Sequence, residues 1–303
     1  MSLPRIASMA LNTPLLIHPG KAAAIAMGLG ARLSGGQLVV EDVAVVQHRA
    51  FQNGRPSMGV LDDRLGRFFD VRGKKPYAMD GSVAVIPVEG TLVHKGAWVE
   101  SDSGETSYQG LQAQVRRAMT DNAVRGVVFE VDSFGGQVAG AFETAEMIHE
   151  LSQAKPTIAI LTDHAYSAGY LMASAARTIV MPETGGIGSI GVITMHVDMS
   201  QALERAGYRV TIIAAGQHKA DGNAYEPLPE AVADKIMGQI EVARQIFAET
   251  VGRFRGSRLS AAEALATEAQ DYLGAEGVAA GLADATGSPL ETYQAFVSTI
   301  NGA

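Results

Sequence analysis

Apolar residues along this chain fall into short unbroken runs and longer interrupted stretches, and the two textures alternate. The run Val83-Ala84-Val85-Ile86-Pro87-Val88 predicts a strand, and apolar spacing over residues 108–119 predicts a helix. A second strand is expected at Gly126-Val127-Val128-Phe129-Glu130-Val131, then a helix over about residues 138–151, then a strand at Pro156-Thr157-Ile158-Ala159-Ile160-Leu161. A small-residue helix follows, free of charge until Arg177. Further strands are expected at residues 178–181, 191–195 and 209–214, with a helix over 198–206. Pro227 and Pro229 mark the start of a long helix through about residue 254, and Ser260-Ala261-Ala262-Glu263 has the pattern of a capping box. Nearly all-apolar strands alternating with helices predict an α/β fold whose sheet is covered on both faces.

Residues 1–80 lack this texture. They hold one helix-like segment between Pro19-Gly20 and Ser34-Gly35-Gly36, followed by mixed charge, glycine and proline. They are read as an amino-terminal arm or peripheral segment, residues 81–290 as the main domain, and residues 291–303 as a carboxy-terminal tail.

Composition narrows the chemistry. Of 303 residues, 47% are hydrophobic, ample for a core. The net charge of −8, with no basic cluster longer than Lys74-Lys75 or Arg116-Arg117, argues against nucleic acid as a partner. No run approaches the ~18 apolar residues needed to span a bilayer, and the glycine-interrupted stretch 22–31 lies too far along the chain for a signal peptide. A soluble, cytoplasmic protein is expected. The absence of cysteine excludes a thiolate nucleophile, a disulfide framework and a cysteine zinc site. No cofactor or metal is expected, and any nucleophile must be oxygen or nitrogen.

The stretch His164-Ala165-Tyr166-Ser167-Ala168-Gly169-Tyr170 places Ser167 at a strand-to-helix junction. Such a position can expose a hydroxyl beside the backbone N–H of the next residue, which the helix start leaves without an intrahelical partner. A helix cap is the plainer use of a serine there. Gly135-Gly136 offers backbone N–H groups unobstructed by side chains, as an oxyanion hole requires, although a glycine pair after a strand is also a common turn. The pattern Gly135-Gly136-Gln137-Val138-Ala139-Gly140 is neither Gly-x-Gly-x-x-Gly nor a P-loop, so a nucleotide site is weakly supported.

The run Val131-Asp132-Ser133-Phe134-Gly135-Gly136, the turn Ala165-Tyr166-Ser167-Ala168-Gly169, the run Gly188-Ser189-Ile190-Gly191-Val192 and the loop 216–223 resemble, in order and spacing, those of the signal-peptide-peptidase A (S49) family of serine peptidases. Ile6-Ala7-Ser8-Met9-Ala10, Pro14-Leu15-Leu16 and His218-Lys219-Ala220-Asp221-Gly222-Asn223-Ala224-Tyr225 more closely resemble the head maturation proteases of lambda-like tailed phages, the minor capsid protein C group. The resemblance implies a Clp-protease/crotonase-like fold and a Ser-Lys dyad, with Ser167 as nucleophile and Lys219 as base. It also implies an oxyanion hole from the N–H groups of Gly135 or Gly136 and of Ala168, a supporting hydroxyl at Ser189, ring-like homo-oligomers, and scaffold and capsid proteins as substrates. Phage proteases of this group often continue into a scaffolding region, whereas this chain stops at Ala303.

Three other readings compete. Ser167, Asp198 and His218 stand in the chain order of an α/β-hydrolase triad, although Ala165 replaces the expected glycine. A crotonase-like acyl-coenzyme A enzyme would use paired backbone N–H groups without a serine nucleophile. A capsid-assembly component would leave the serine idle.

Overall fold

The computed structural model describes residues 13–23, 64–96, 101–102 and 104–302. The run at residues 6–10, and the helix-like stretch beyond residue 23, lie outside these.

Three long parallel strands form the centre: β3 (Val83–Val93), β6 (Gly126–Gln137) and β7 (Thr157–Tyr166). Their side chains alternate between two cores, as the two-residue period of a strand requires. Ala84, Ile86, Val88, Val127, Phe129, Val131, Ala159 and Leu161 enter the main core. That face is covered by α2 (Tyr108–Thr120), α3 (Ala141–Ala154) and the wholly buried α4 (Ala168–Ser174). Val83, Val128, Ile158 and Ile160 point the other way, against Ile300, Phe296 and Val297 of α9 (Pro289–Gly302). The predicted α/β fold with a sheet covered on both sides is therefore what the chain forms. Residues 291–302, within the stretch read as a tail, lie in α9.

The sheet divides at β7. Its first half pairs in parallel with β8 (Thr178–Met181), and its last three residues pair in parallel with β9 (Gly186–Gly188), placing Tyr166 opposite Gly188. β6 changes partner likewise. Its end, Gly135 to Gln137, pairs antiparallel with β1 (Leu15–Ile17), which comes from the segment read as an arm and is buried. Short strands β2 (Ala78–Asp80), β4 (Ser101–Asp102) and β5 (Glu105–Ser107) extend the β3 side, while β10 (Asp271–Leu273) pairs with β9 and β11 (Ala285–Thr286) with β8. Ser167 follows directly on β7 at this change of partner.

Several boundaries match the chain's local chemistry. Pro229 caps α6 (Glu230–Arg255), and Ser260 and Glu263 form a reciprocal capping box on α7 (Ala261–Ala266). α1 (Arg64–Val71), α5 (Ser200–Arg205) and α8 (Gly274–Ala279) are shorter.

Three expectations are corrected. Gly135-Gly136 does not follow a strand but lies inside β6, which runs on through both glycines to Gln137. Residues 191–195 form no ladder, only a single antiparallel bridge between Ile193 and Leu15. Residues 209–214 are unpaired and exposed, Ile213 at 96%. Their alternation suits a strand, but no neighbouring strand edge in the described chain receives it.

Candidate active site

β7 delivers Ser167 to the start of α4. Its backbone has φ 55° and ψ −119°, an unusual conformation for a residue with a Cβ. An ordinary N-cap serine is extended and accepts a hydrogen bond from the first turn; Ser167 makes no such bond. Its Oγ is buried and has no hydrogen-bond partner among the described residues. The plain capping role is thus absent. Backbone strain of this kind costs on the order of 1–3 kcal/mol, and an unsatisfied buried hydroxyl about as much again. A serine held in this way is available for chemistry.

The surroundings hold that backbone in place. The Ser167 N–H donates to the Gly188 carbonyl at 2.9 Å, which brings Ser189 alongside. Ser189 is itself buried, has φ 56°, and donates its N–H to the Gln270 carbonyl at 3.1 Å. The Leu171 N–H donates to the Ser167 carbonyl at 2.9 Å, closing the first turn of α4. Ala168 begins this helix, so its N–H has no intrahelical acceptor.

Gly135 and Gly136 are glycines for steric reasons that bear on the site. A Cβ on Gly135, whose φ is +94°, would lie 2.1 Å from the Leu16 carbonyl oxygen and 3.0 Å from Ser167 Cβ. A Cβ on Gly136 would lie 1.9 Å from the Leu92 carbonyl oxygen. The two expected oxyanion donors are not equivalent, because the Gly135 N–H already donates to Ser133 Oγ at 3.1 Å. Ser133 Oγ in turn donates to the Gly90 carbonyl at 2.7 Å. Ser133 is fully buried, and its backbone packs so tightly against α4 that a Cβ on Gly169 would meet the Ser133 carbonyl oxygen at 2.7 Å. In the sequence Ser133 carries one signal, a polar residue at an inward position of a buried strand.

Lys219 lies on an exposed turn, its N–H donating to the Gly216 carbonyl at 3.1 Å. Because Ser167 Oγ has no partner, the lysine ammonium does not bond it within the single chain. The rival triad is not assembled either. Asp198 accepts the Ser200 N–H at 2.8 Å, and that serine holds its carboxyl below the usual range. His218 Nδ1 lies 2.9 Å from Asp221, which also accepts from Lys235 at 3.1 Å. The hydrogen bond from Lys235, with that of His218 behind it, lowers the Asp221 carboxyl.

On the opposite face of β6 and β7, Phe134, His164 and Tyr166 pack together, and His18 stacks on Tyr166 at 4.9 Å while approaching Asp271 at 2.6 Å. Burial, with Asp271 nearby, raises the Tyr166 phenol above its ordinary pKa. Asp132, Asp163 and His164 each offer one ligand atom within 4.8 Å of the others. They are the one group among the described residues with that geometry, but both carboxylates are open to solvent.

Ser167 thus stands at a strained strand-to-helix junction, beside Gly135 of the neighbouring strand β6. A family model described as peptidase family S49 matches residues 149–299, and the chain belongs to that family. Among curated proteins, it is 38% identical to Head-tail preconnector protein GP5 of Enterobacteria phage P21 over 99% of this chain and 58% of that protein. It is 37% identical to Capsid assembly protease C of Escherichia phage lambda over 93% of this chain and 63% of that protein. The chain thus spans about three-fifths of the length of these two relatives. Protease 4 of Haemophilus influenzae is 27% identical over 82% of this chain and 39% of its own length. Among solved structures, an enoyl-CoA hydratase/isomerase family member is similar over 75% of this chain and 76% of its own, at 16% identity and a TM-score of 0.42.

Proposed function

We propose that this chain is a serine endopeptidase acting through an acyl-enzyme at Ser167. The observation that carries the reading is the buried, uncapped, unpartnered Ser167 hydroxyl at a backbone conformation that serines seldom adopt. Lys219, in its neutral form, takes the proton from Ser167 Oγ as the oxygen attacks the scissile carbonyl carbon. The tetrahedral oxyanion is stabilised by N–H groups aimed at the developing charge. Of the glycine pair, the Gly135 amide is held by Ser133 and Gly136 is paired with Leu16 of β1, so a glycine donor becomes free only when one of these contacts is released; the Ala168 N–H is the second donor. The lysine returns its proton to the leaving amine, and water then hydrolyses the ester.

A lysine serves as a base only when neutral, and desolvation favours that form. In the single chain Lys219 is exposed, flanked by the exposed apolar side chains of Tyr208, Val210, Ile212, Ile213 and Tyr225. A second copy of the chain covering this surface would supply the missing desolvation, so the active form is read as a homo-oligomer. No helix among the described residues is long and apolar enough to cross a membrane.

The likeness to Capsid assembly protease C and Head-tail preconnector protein GP5 supports scaffold and capsid proteins of a phage or prophage as substrates, in the host cytoplasm or the assembling procapsid. The test is to incubate the purified chain with the scaffold and capsid proteins encoded beside it and to identify new termini by mass spectrometry. New termini that vanish with Ser167→Ala are expected; their persistence in that variant would refute the reading. A non-hydrolytic acyl-coenzyme A enzyme would produce none.

A further inference from the structure

Leu15–Ile17 lies in a slot with hydrogen-bonding backbone on both sides. On one side it pairs antiparallel with β6, Leu16 opposite Gly136 and Ile17 opposite Gly135. On the other, Leu15 and Ile193 exchange N–H···O bonds of 2.8 and 2.9 Å. Just beyond, the His18 N–H donates to the Phe134 carbonyl at 2.8 Å. The strand runs directly past the nucleophile: the space beside Gly135 where a Cβ would sit is 2.1 Å from the Leu16 carbonyl oxygen and 3.0 Å from Ser167 Cβ. Leu16 is fully buried in the main core, and Ser167 is fully buried beside it.

An extended peptide held by main-chain hydrogen bonds against the edge of a sheet is a general mode of peptide recognition. Here that position, next to the nucleophile and opposite the glycine amides, is taken by the chain itself. We propose that β1 is an intramolecular occupant of the substrate groove, which shields Ser167 and must leave the slot between β6 and Ile193 before a substrate segment can enter. The proposal rests on the peptidase reading above and adds its regulation. Being tethered, β1 competes at an effective concentration in roughly the millimolar range, so a free peptide displaces it poorly. At three residues it is also short enough to open locally while the long central strands stay paired.

The absence of cysteine makes the test direct. Leu15 and Gln137 are directly opposed in the β1–β6 register. Such pairs have Cα separations of about 4.5–5.5 Å, inside the range a disulfide spans. In the double variant Leu15→Cys/Gln137→Cys, the reduced protein should label with a fluorophosphonate and cleave unfolded casein. The oxidised protein should lose at least tenfold in both rates, and dithiothreitol should restore them. Equal rates in the two states would overturn the proposal while leaving the peptidase reading intact. Absence of labelling and cleavage in both states would count against the peptidase reading, and the opening of β1 would then be decided without catalysis. In hydrogen exchange on the unmodified chain, the Leu16 and Ile17 amides should exchange at least tenfold faster than those of Val127 and Phe129. Exchange as slow as that of those core amides would overturn the proposal.

Discussion

Ser133 Oγ accepts the Gly135 N–H at 3.1 Å, which ties a buried hydroxyl on β6 to the glycine that lies beside Ser167. The same oxygen donates to the Gly90 carbonyl, so one side chain joins β6 to β3 beneath the site. Ser133→Ala keeps the volume but strands a buried donor and a carbonyl. It is expected to destabilise the fold by about 1–3 kcal/mol, measurable as a lower urea midpoint at unchanged slope. Peptidase activity should fall with it, because the conformation of Gly135 is no longer fixed. An unchanged midpoint would show that the bond is not structural.

Ser167→Ala is expected to abolish cleavage without loss of stability. It removes a buried hydroxyl that no group among the described residues satisfies, so the melting temperature should stay level or rise. Ser167→Gly should rise further, since glycine adopts positive φ freely. A marked loss of stability in both variants would mean that the serine is structural.

Away from the site, the fully buried Arg255 side chain makes paired bonds to Asp284 of 3.0 and 2.9 Å. Burial works against the Asp284 charge, but the hydrogen bond and charge of Arg255 outweigh it and hold the carboxyl below its ordinary value. Asp284→Asn, which leaves a buried guanidinium uncompensated, should cost about 3–5 kcal/mol at neutral pH. A depressed folded pKa stabilises above the unfolded value of about 3.9, and that stability is lost as pH falls through the folded value. The gap in urea midpoint between wild type and variant should therefore be constant down to about pH 4 and close below it. A gap that persists at lower pH would contradict the assignment.

If a second copy completes the surroundings of Lys219, specific activity should fall on dilution in step with dissociation seen by sedimentation. Should the dyad also be shared between copies, mixing inactive Ser167→Ala with inactive Lys219→Ala would restore part of the activity. Full activity in a monomer at high dilution would remove the need for assembly.

The central strands and most helices were legible because their signals are local. Apolar runs, Pro229 and the Ser260–Glu263 box specify elements without reference to distant parts of the chain. Ser167 was legible for the same reason, as a serine between a strand and a small-residue helix. What escaped depends on pairing. Leu15–Ile17 is too short to announce a strand, and its partner lies some 120 positions away in β6. Gly186–Gly188, in a glycine-rich stretch without an apolar run, is a strand whose place against β7 sets Ser167 beside Ser189. Residues 209–214 carried the pattern of a strand and found no partner. The hydrogen bond of Ser133 could not be read either, since it links residues on two strands whose register the sequence does not display.

Covalent labelling tests most directly whether Ser167 is a nucleophile activated by Lys219. Wild-type chain treated with a fluorophosphonate under assembly conditions should carry one adduct, located by mass spectrometry at Ser167. Lys219→Ala should slow that labelling by at least a hundredfold, the lower end of what a positioned general base contributes. His218→Ala, whose ring is engaged with Asp221, should label within a few-fold of wild type. An adduct at a different serine, no adduct at all, or a His218→Ala variant that is inert while Lys219→Ala still labels, would contradict the account.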